Sequence, residues 1–286
     1  MPLTTTEKML AAAKKNGYAV AAFNCENMEM IQAIIAAAAE MNAPVILQTT
    51  PSTVNYASAR LFAANAAAAA EKADIPVALH LDHGNSHELV KDALDAGYTS
   101  IMIDGSHFPL EENIAFTKKA ASLCLMAGIP IEGELGHVGG KEDDLESAGA
   151  GYTDPEEAVR FVKETGVSSL AIGVGTAHGV YAKKPVLNPQ LISILKERIT
   201  VPLVLHGASG LDDEVVQDCI ARGISKVNIA TDLRIAYTQA VREYLQKDPG
   251  CFDPKKYGNA GREAVIKLTI KRIKICGCQG RAGEIN

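Results

Sequence analysis

The chain has 286 residues, 47% of them hydrophobic: enough apolar material for a large core, at a length that suits one α/β barrel. Its 34 acidic and 28 basic residues leave a formal net charge of −6. There is no basic block, which argues against a nucleic-acid surface but leaves room for an anionic ligand held by local dipoles.

The opening stretch MPLTTTEKML lacks the basic flank, apolar run and cleavage site of a secretory signal. The longest apolar runs are Ala-rich and shorter than a bilayer span, so no membrane partner is expected. Eight strand-length apolar runs follow in order: YAVAAFN (18–24), APVILQT (43–49), PVALHLDH (76–83), SIMIDG (100–105), PIEGELG (130–136), SLAIGVG (169–175), PLVLHGA (202–208) and KVNIAT (226–231). Segments of helical spacing lie between them, such as 26–41, and 86–96 with Leu89, Val90, Ala93 and Leu94 on one stripe. Near-continuous apolar runs predict strands buried on both faces, as in a parallel sheet covered by helices. Eight β-α units predict a closed (β/α)8 TIM barrel, with an open doubly wound sheet as the structural alternative. No Pro/Ser-rich linker divides the chain, so residues 1–286 are expected to form a single domain. Residues 254–275 read as an extra C-terminal helix. The longest irregular connection, 137–154, has the length of a lid. Six scattered cysteines form no CxxC pair, so reduced thiols and a cytoplasmic location are expected.

Barrel chemistry sits at the C-terminal ends of the strands. The residues there are Asn24, Thr50, Asp82 with His83, Asp104, Glu134, His178, His206 and Asn228. Histidines from three strand ends can hold a catalytic Zn²⁺ and leave a position open for substrate, and His83, His178 and His206 fit that pattern. His80 is expected deeper in the barrel as support. His87 is expected at a solvent-facing helix start, and His107 and His137 in loops. Asp82 can orient a histidine or move a proton. Strict alternation sends residues 82 and 83 to opposite faces, so both reach the site only if the strand curls at its end. HGASG (206–210) and NIATD (228–232) occupy the usual phosphate-binding position after the last two strands, and GVGTAHG (173–179) adds a third glycine loop. Schiff-base chemistry is disfavoured. The sixth strand, SLAIGVG, has no lysine, and Lys226 is read at the start of the eighth, the wrong end. A metal is then needed as the electron sink.

The motifs HLDHG, MIDGSH, EGELGHVGGKEDD, GTAHGVY, PLVLHGASGL, KVNIATDL and CGCQGRA, in this order, resemble the class II, zinc-dependent ketose-bisphosphate aldolases over nearly the whole chain. The resemblance implies reversible cleavage of a ketose 1,6-bisphosphate to glycerone phosphate and glyceraldehyde 3-phosphate by a homodimer or homotetramer. By position it makes His83, His178 and His206 the zinc ligands and Asp82 the acid/base for the C4 hydroxyl. Glu142 matches a proton-transfer carboxylate on a mobile loop, and Asp104 and Glu134 lie near an alternative metal position. Gly179, Gly207, Ala208, Ser209, Asn228, Ile229, Ala230 and Thr231 match the glycerone-phosphate loops. A monovalent cation, Na⁺ or K⁺, is implied beside the phosphate. LHGASGL and CGCQGRA are similar to tagatose-type members, whereas Gly84 in HLDHG is similar to fructose-type members, so both sugars are expected in the substrate class. Arg262 and Arg272 are candidates for the C6 phosphate. Two rival readings fit less well. A metal-dependent barrel hydrolase wants an HxH pair after the first strand, where this chain has FNC, and a non-catalytic sugar-phosphate binder has no need of Asp82 and Glu142.

Overall fold

A computed structural model describes residues 3–142, 145–147, 151–179 and 185–285, the side chains of 141, 142 and 145–147 excepted. In chain order the first half runs α1 (Thr6–Asn16), β1 (Val20–Asn24), α2 (Met28–Glu40), β2 (Val45–Thr49), α3 (Pro51–Ala57), α4 (Ala59–Ala70), β3 (Val77–Gly84), α5 (His87–Ala96), β4 (Ser100–Ile103), α6 (Leu110–Ala127) and β5 (Ile131–Leu135). There follow β6 (Gly139–Glu142), β7 (Leu145–Ser147), α7 (Pro155–Thr165), β8 (Ser169–Ile172), β9 (Ala177–His178), α8 (Pro189–Arg198), β10 (Leu203–Leu205), α9 (Asp213–Arg222), β11 (Ile224–Ile229), α10 (Thr231–Lys247), α11 (Pro254–Cys276) and a 3-10 turn, Ala282–Ile285.

Eight of these strands close a parallel barrel in the order β1-β11-β10-β8-β5-β4-β3-β2. This is the (β/α)8 TIM barrel that the apolar runs predict. Every residue of β1, β2, β4, β5, β8, β10 and β11 is buried, as strands covered on both faces must be. Outward-facing residues such as Phe23, Leu47 and Leu79 meet the apolar stripes of the helices, while Met102, Ala171 and Val204 form a separate small cluster. Side-chain caps start the surrounding helices where the sequence offers them. The Asn27 side chain accepts from the Met30 amide and that of Ser86 from the Leu89 amide, while Asp154 before Pro155 accepts from the Glu156 and Glu157 amides. The extra helix expected near the C-terminus is α11, packed against α2 and α10.

Two readings need correcting. The connection 137–154 is not wholly irregular: β6 and β7 form an antiparallel hairpin, and β6 pairs in parallel with β9. The eighth barrel strand runs 224–229, not 226–231, because the backbone turns at Ala230 to begin α10. Lys226 therefore stands inside the strand, fully buried, and not at its start.

Candidate active site

The curl that Asp82 and His83 require is present. The pairing of β3 with β4 shifts register between Leu81 and Gly84, and His83 takes a left-handed φ of 49°. A bulge breaks alternation and re-aims side chains, so neighbours 82 and 83 both face the mouth of the barrel. Gly84 permits the close approach that follows: a Cβ there would lie 2.5 Å from the Met102 carbonyl oxygen and 3.0 Å from Leu81 Cδ2. Position 84 is thus constrained by strand packing. Gly84→Ala is expected to destabilise the fold by about 1–3 kcal/mol in urea unfolding, the usual cost of overpacking.

His83, His178 and His206 are brought together, each offering a ring nitrogen within 4.8 Å of the others. His178 arrives on β9, which two glycines flank. A Cβ at Gly140 (φ 94°) would lie 2.3 Å from the His178 carbonyl oxygen, and one at Gly207 (φ 65°) would lie 2.6 Å from that of Ala177. Only a residue without a side chain fits at either position. His83, Asp104 and Glu134 form a second group able to hold a metal, overlapping the first at His83.

The outer ring nitrogens set the tautomers. His83 Nδ1 lies 2.8 Å from Asp104 Oδ2, and His206 Nε2 lies 2.9 Å from Glu132 Oε1. Burial opposes charge on Asp104, but the hydrogen bond from His83, helped by Ser106, holds its carboxyl well below the usual carboxylate range. Burial opposes charge on Glu132 too, and the Lys226 amine, with His206 and His80, outweighs it. Two carboxylates accept, so both outer nitrogens donate. Burial also holds the His206 pKa below its ordinary value, only partly offset by Glu132, so the ring is neutral. With both outer nitrogens donating, neutral rings would turn the lone pairs of His83 Nε2 and His206 Nδ1 towards each other, 2.9 Å apart. A cation between them resolves that conflict, and neutral imidazoles steered by carboxylates are what zinc selects. The donor set fits Zn²⁺.

Asp82 is fully buried beside this cluster. Its Oδ2 accepts from Asn24 Nδ2 at 2.8 Å and its Oδ1 from Asn228 Nδ2 at 3.0 Å. Gln48 Nε2 donates to Asn24 Oδ1 at 2.9 Å, which fixes the Asn24 amide with its nitrogen towards Asp82. Asn24 is thus placed on Asp82. Thr50 is buried and bonded to Ser52 and Thr53. The side chain of Glu142 lies outside the described residues; its backbone ends β6 opposite Leu145.

The glycine loops converge on a small cavity lined by His178, Gly179, Gly207, Ser209, Asn228, Ala230, Thr231 and Arg234. It sits at the N-terminus of α10, where backbone N–H groups and the helix dipole favour an anion. Ser209 Oγ accepts from the Ala230 amide at 3.2 Å and the Asp232 amide at 3.4 Å, which ties the two loops together. Ala208 and Ile229 do not line the cavity; both belong to the buried apolar core.

Glu132 and Arg234 were not among the residues singled out from the sequence. Glu132 stands two residues before Glu134, on the same face of β5, so alternation could have found it. Arg234 follows Thr231 by three, one helical turn on, and its Nε donates to Glu26 Oε1 at 2.7 Å. Of the expected C6-phosphate candidates, Arg272 is buried and paired with Asp213 and Asp232, while half-buried Arg262 bonds Gln32 and Asn259. His87 starts α5 as expected and is half-buried: its ring packs 4.6 Å from that of Phe116, and its Nε2 lies 2.9 Å from the Phe116 carbonyl oxygen. His107 is exposed against Phe108, and His137 bridges Gly151 through its backbone. Among the described residues no helix is long and apolar enough to cross a membrane.

Three comparisons bear on this site. The family model for class-II fructose-bisphosphate aldolases matches residues 4–281. The crystal structure of the YdjI aldolase from Escherichia coli K12 is 38% identical, with a TM-score of 0.88, over 98% of this chain and 99% of the other. The fructose-bisphosphate aldolase of Campylobacter jejuni shares the fold at 24% identity and TM-score 0.83, over 98% and 97% of the two chains.

Proposed function

Because the chain belongs to the class II fructose-bisphosphate aldolase family, we propose that it cleaves a ketose 1,6-bisphosphate, fructose or tagatose, reversibly to glycerone phosphate and glyceraldehyde 3-phosphate. The observation that carries the reading is the convergence of His83, His178 and His206, with His83 Nε2 and His206 Nδ1 2.9 Å apart, beside a buried, doubly hydrogen-bonded carboxylate. His83, His178 and His206 hold the metal, Zn²⁺. When bound, it supplies Lewis-acid stabilisation of the negative charge left on C3 as the C3–C4 bond breaks. Asp82 takes the C4 hydroxyl proton, its lone pairs aimed by Asn24 and Asn228. The cavity under α10 takes the glycerone phosphate, and its remote binding positions the reacting carbons. Glu142 protonates C3. A monovalent cation sits beside the phosphate, and the working enzyme is a homodimer or homotetramer in the cytoplasm. Asp104 and Glu134 provide the alternative metal position with His83.

Cleavage rates of the zinc-loaded protein on fructose and tagatose 1,6-bisphosphates, with and without EDTA, test the proposal. The expected result is EDTA-sensitive cleavage of both, with the ratio of rates naming the preferred sugar. Zinc binding with no cleavage of either would sink the bisphosphate assignment in favour of another phosphorylated ketose. EDTA-insensitive cleavage would remove the metal from the mechanism.

A further inference from the structure

Beneath the histidine cluster lie ionisable groups that the proposed reaction does not use directly. Lys226 on β11 and His80 on β3 are 0% exposed, and Glu132 on β5 is 2% exposed. A buried amine persists only with a counter-charge and filled hydrogen bonds. Lys226 Nζ has both: it donates to Glu132 Oε2 at 2.9 Å and to His80 Nε2 at 3.3 Å. His80 Nε2 accepts, so Nδ1 carries the proton and donates to Ser100 Oγ at 2.7 Å. Ser100 in turn lies 2.9 Å from Thr6 Oγ1 on α1. Lys226 is thus braced from the closed end of the barrel while it grips one oxygen of Glu132. The other oxygen, Oε1, is the one that meets His206 Nε2 at 2.9 Å.

We propose that Lys226 is a positioning residue for the metal centre: it pins Glu132 Oε2 so that Oε1 receives the His206 Nε2–H and Nδ1 is left directed at the metal. This rests on the reading that His83, His178 and His206 hold zinc. Without the amine, nothing fixes the plane of the Glu132 carboxylate, and the His206 ring loses the partner that selects its tautomer. Outer partners of this kind are what orient metal-bound histidines. The full burial of Lys226 also keeps its amine from a substrate carbonyl.

The test is zinc affinity by competition with a chromophoric chelator, together with the visible spectrum of the Co²⁺-loaded protein. Both are compared for wild type, Lys226→Met and the double variant Glu132→Gln/Lys226→Met. Lys226→Met is expected to bind zinc about 10–100-fold more weakly and to shift the cobalt bands. It leaves a lone buried carboxylate and can fail to fold. The double variant removes both charges together, which is often neutral for folding. It is expected to fold and show the same weakening, because a neutral amide is a poorer acceptor for His206. Wild-type affinity and spectrum in either folded variant would overturn the inference and leave the pair a packing role. Failure of both variants to fold would do the same. A wild-type protein that binds no zinc would sink the metal reading itself, a separate outcome.

Discussion

Asp82→Ala is expected to lower kcat for ketose-bisphosphate cleavage by about 10²–10⁴-fold, the usual contribution of a positioned acid/base group, with zinc content unchanged. Asp82 is fully buried and its two oxygens accept from different amides, so it has one orientation. Neither Asn24 nor Asn228 is among the three histidines, and neither is Asp82, so removing it takes away no donor from the metal group. Asp82→Asn preserves shape and is expected to be equally inactive, which separates proton transfer from packing. A coupled assay for glyceraldehyde 3-phosphate reads both variants. Retention of kcat within a few-fold of wild type would remove Asp82 from the mechanism.

His83→Ala is expected to abolish stoichiometric zinc binding and reduce activity to that of chelator-treated protein. Its loss in affinity should exceed the roughly 10–100-fold that loss of an outer partner costs. Asp104→Asn supplies the comparison. It keeps the shape of the group beside His83 Nδ1 but weakens the acceptor, so its zinc affinity should fall only within that range. The two variants are ranked by competition with a metal-binding dye. Equal losses would mean that Asp104 is itself a ligand, through the second group with Glu134, and that the three-histidine site is not the resting one.

The barrel was legible because its strands are apolar runs punctuated by polar ends. Every barrel strand falls within or beside its run, and His83, His178 and His206 converge as expected. What alternation could not supply was the bulge at 82–84, since a left-handed His83 depends on how β3 meets Met102 across the barrel. Glu132 is not legible from strand ends, because the carboxylate that meets His206 stands one inward position below, inside β5. The hairpin of β6 and β7 was missed because its residues, GGKE and LES, carry no apolar alternation; it is built by backbone pairing to β9. The contact of half-buried His87 with Phe116, 29 residues away, is a tertiary one that local spacing does not carry.

Barrel closure joins Val20 to Lys226, so the first and last strands are hydrogen-bonded neighbours. During synthesis, β1 leaves the ribosome long before its partner on that side exists, and its unpaired edge waits on some two hundred further residues. The three histidines are spread over the same interval, on β3, on β9 and directly after β10. A nascent chain can present only His83, then a pair, until residue 206 emerges. On the proposed reading, the three-histidine site is therefore complete only late in the synthesis of each polypeptide, whereas the alternative group of His83, Asp104 and Glu134 is complete by residue 134.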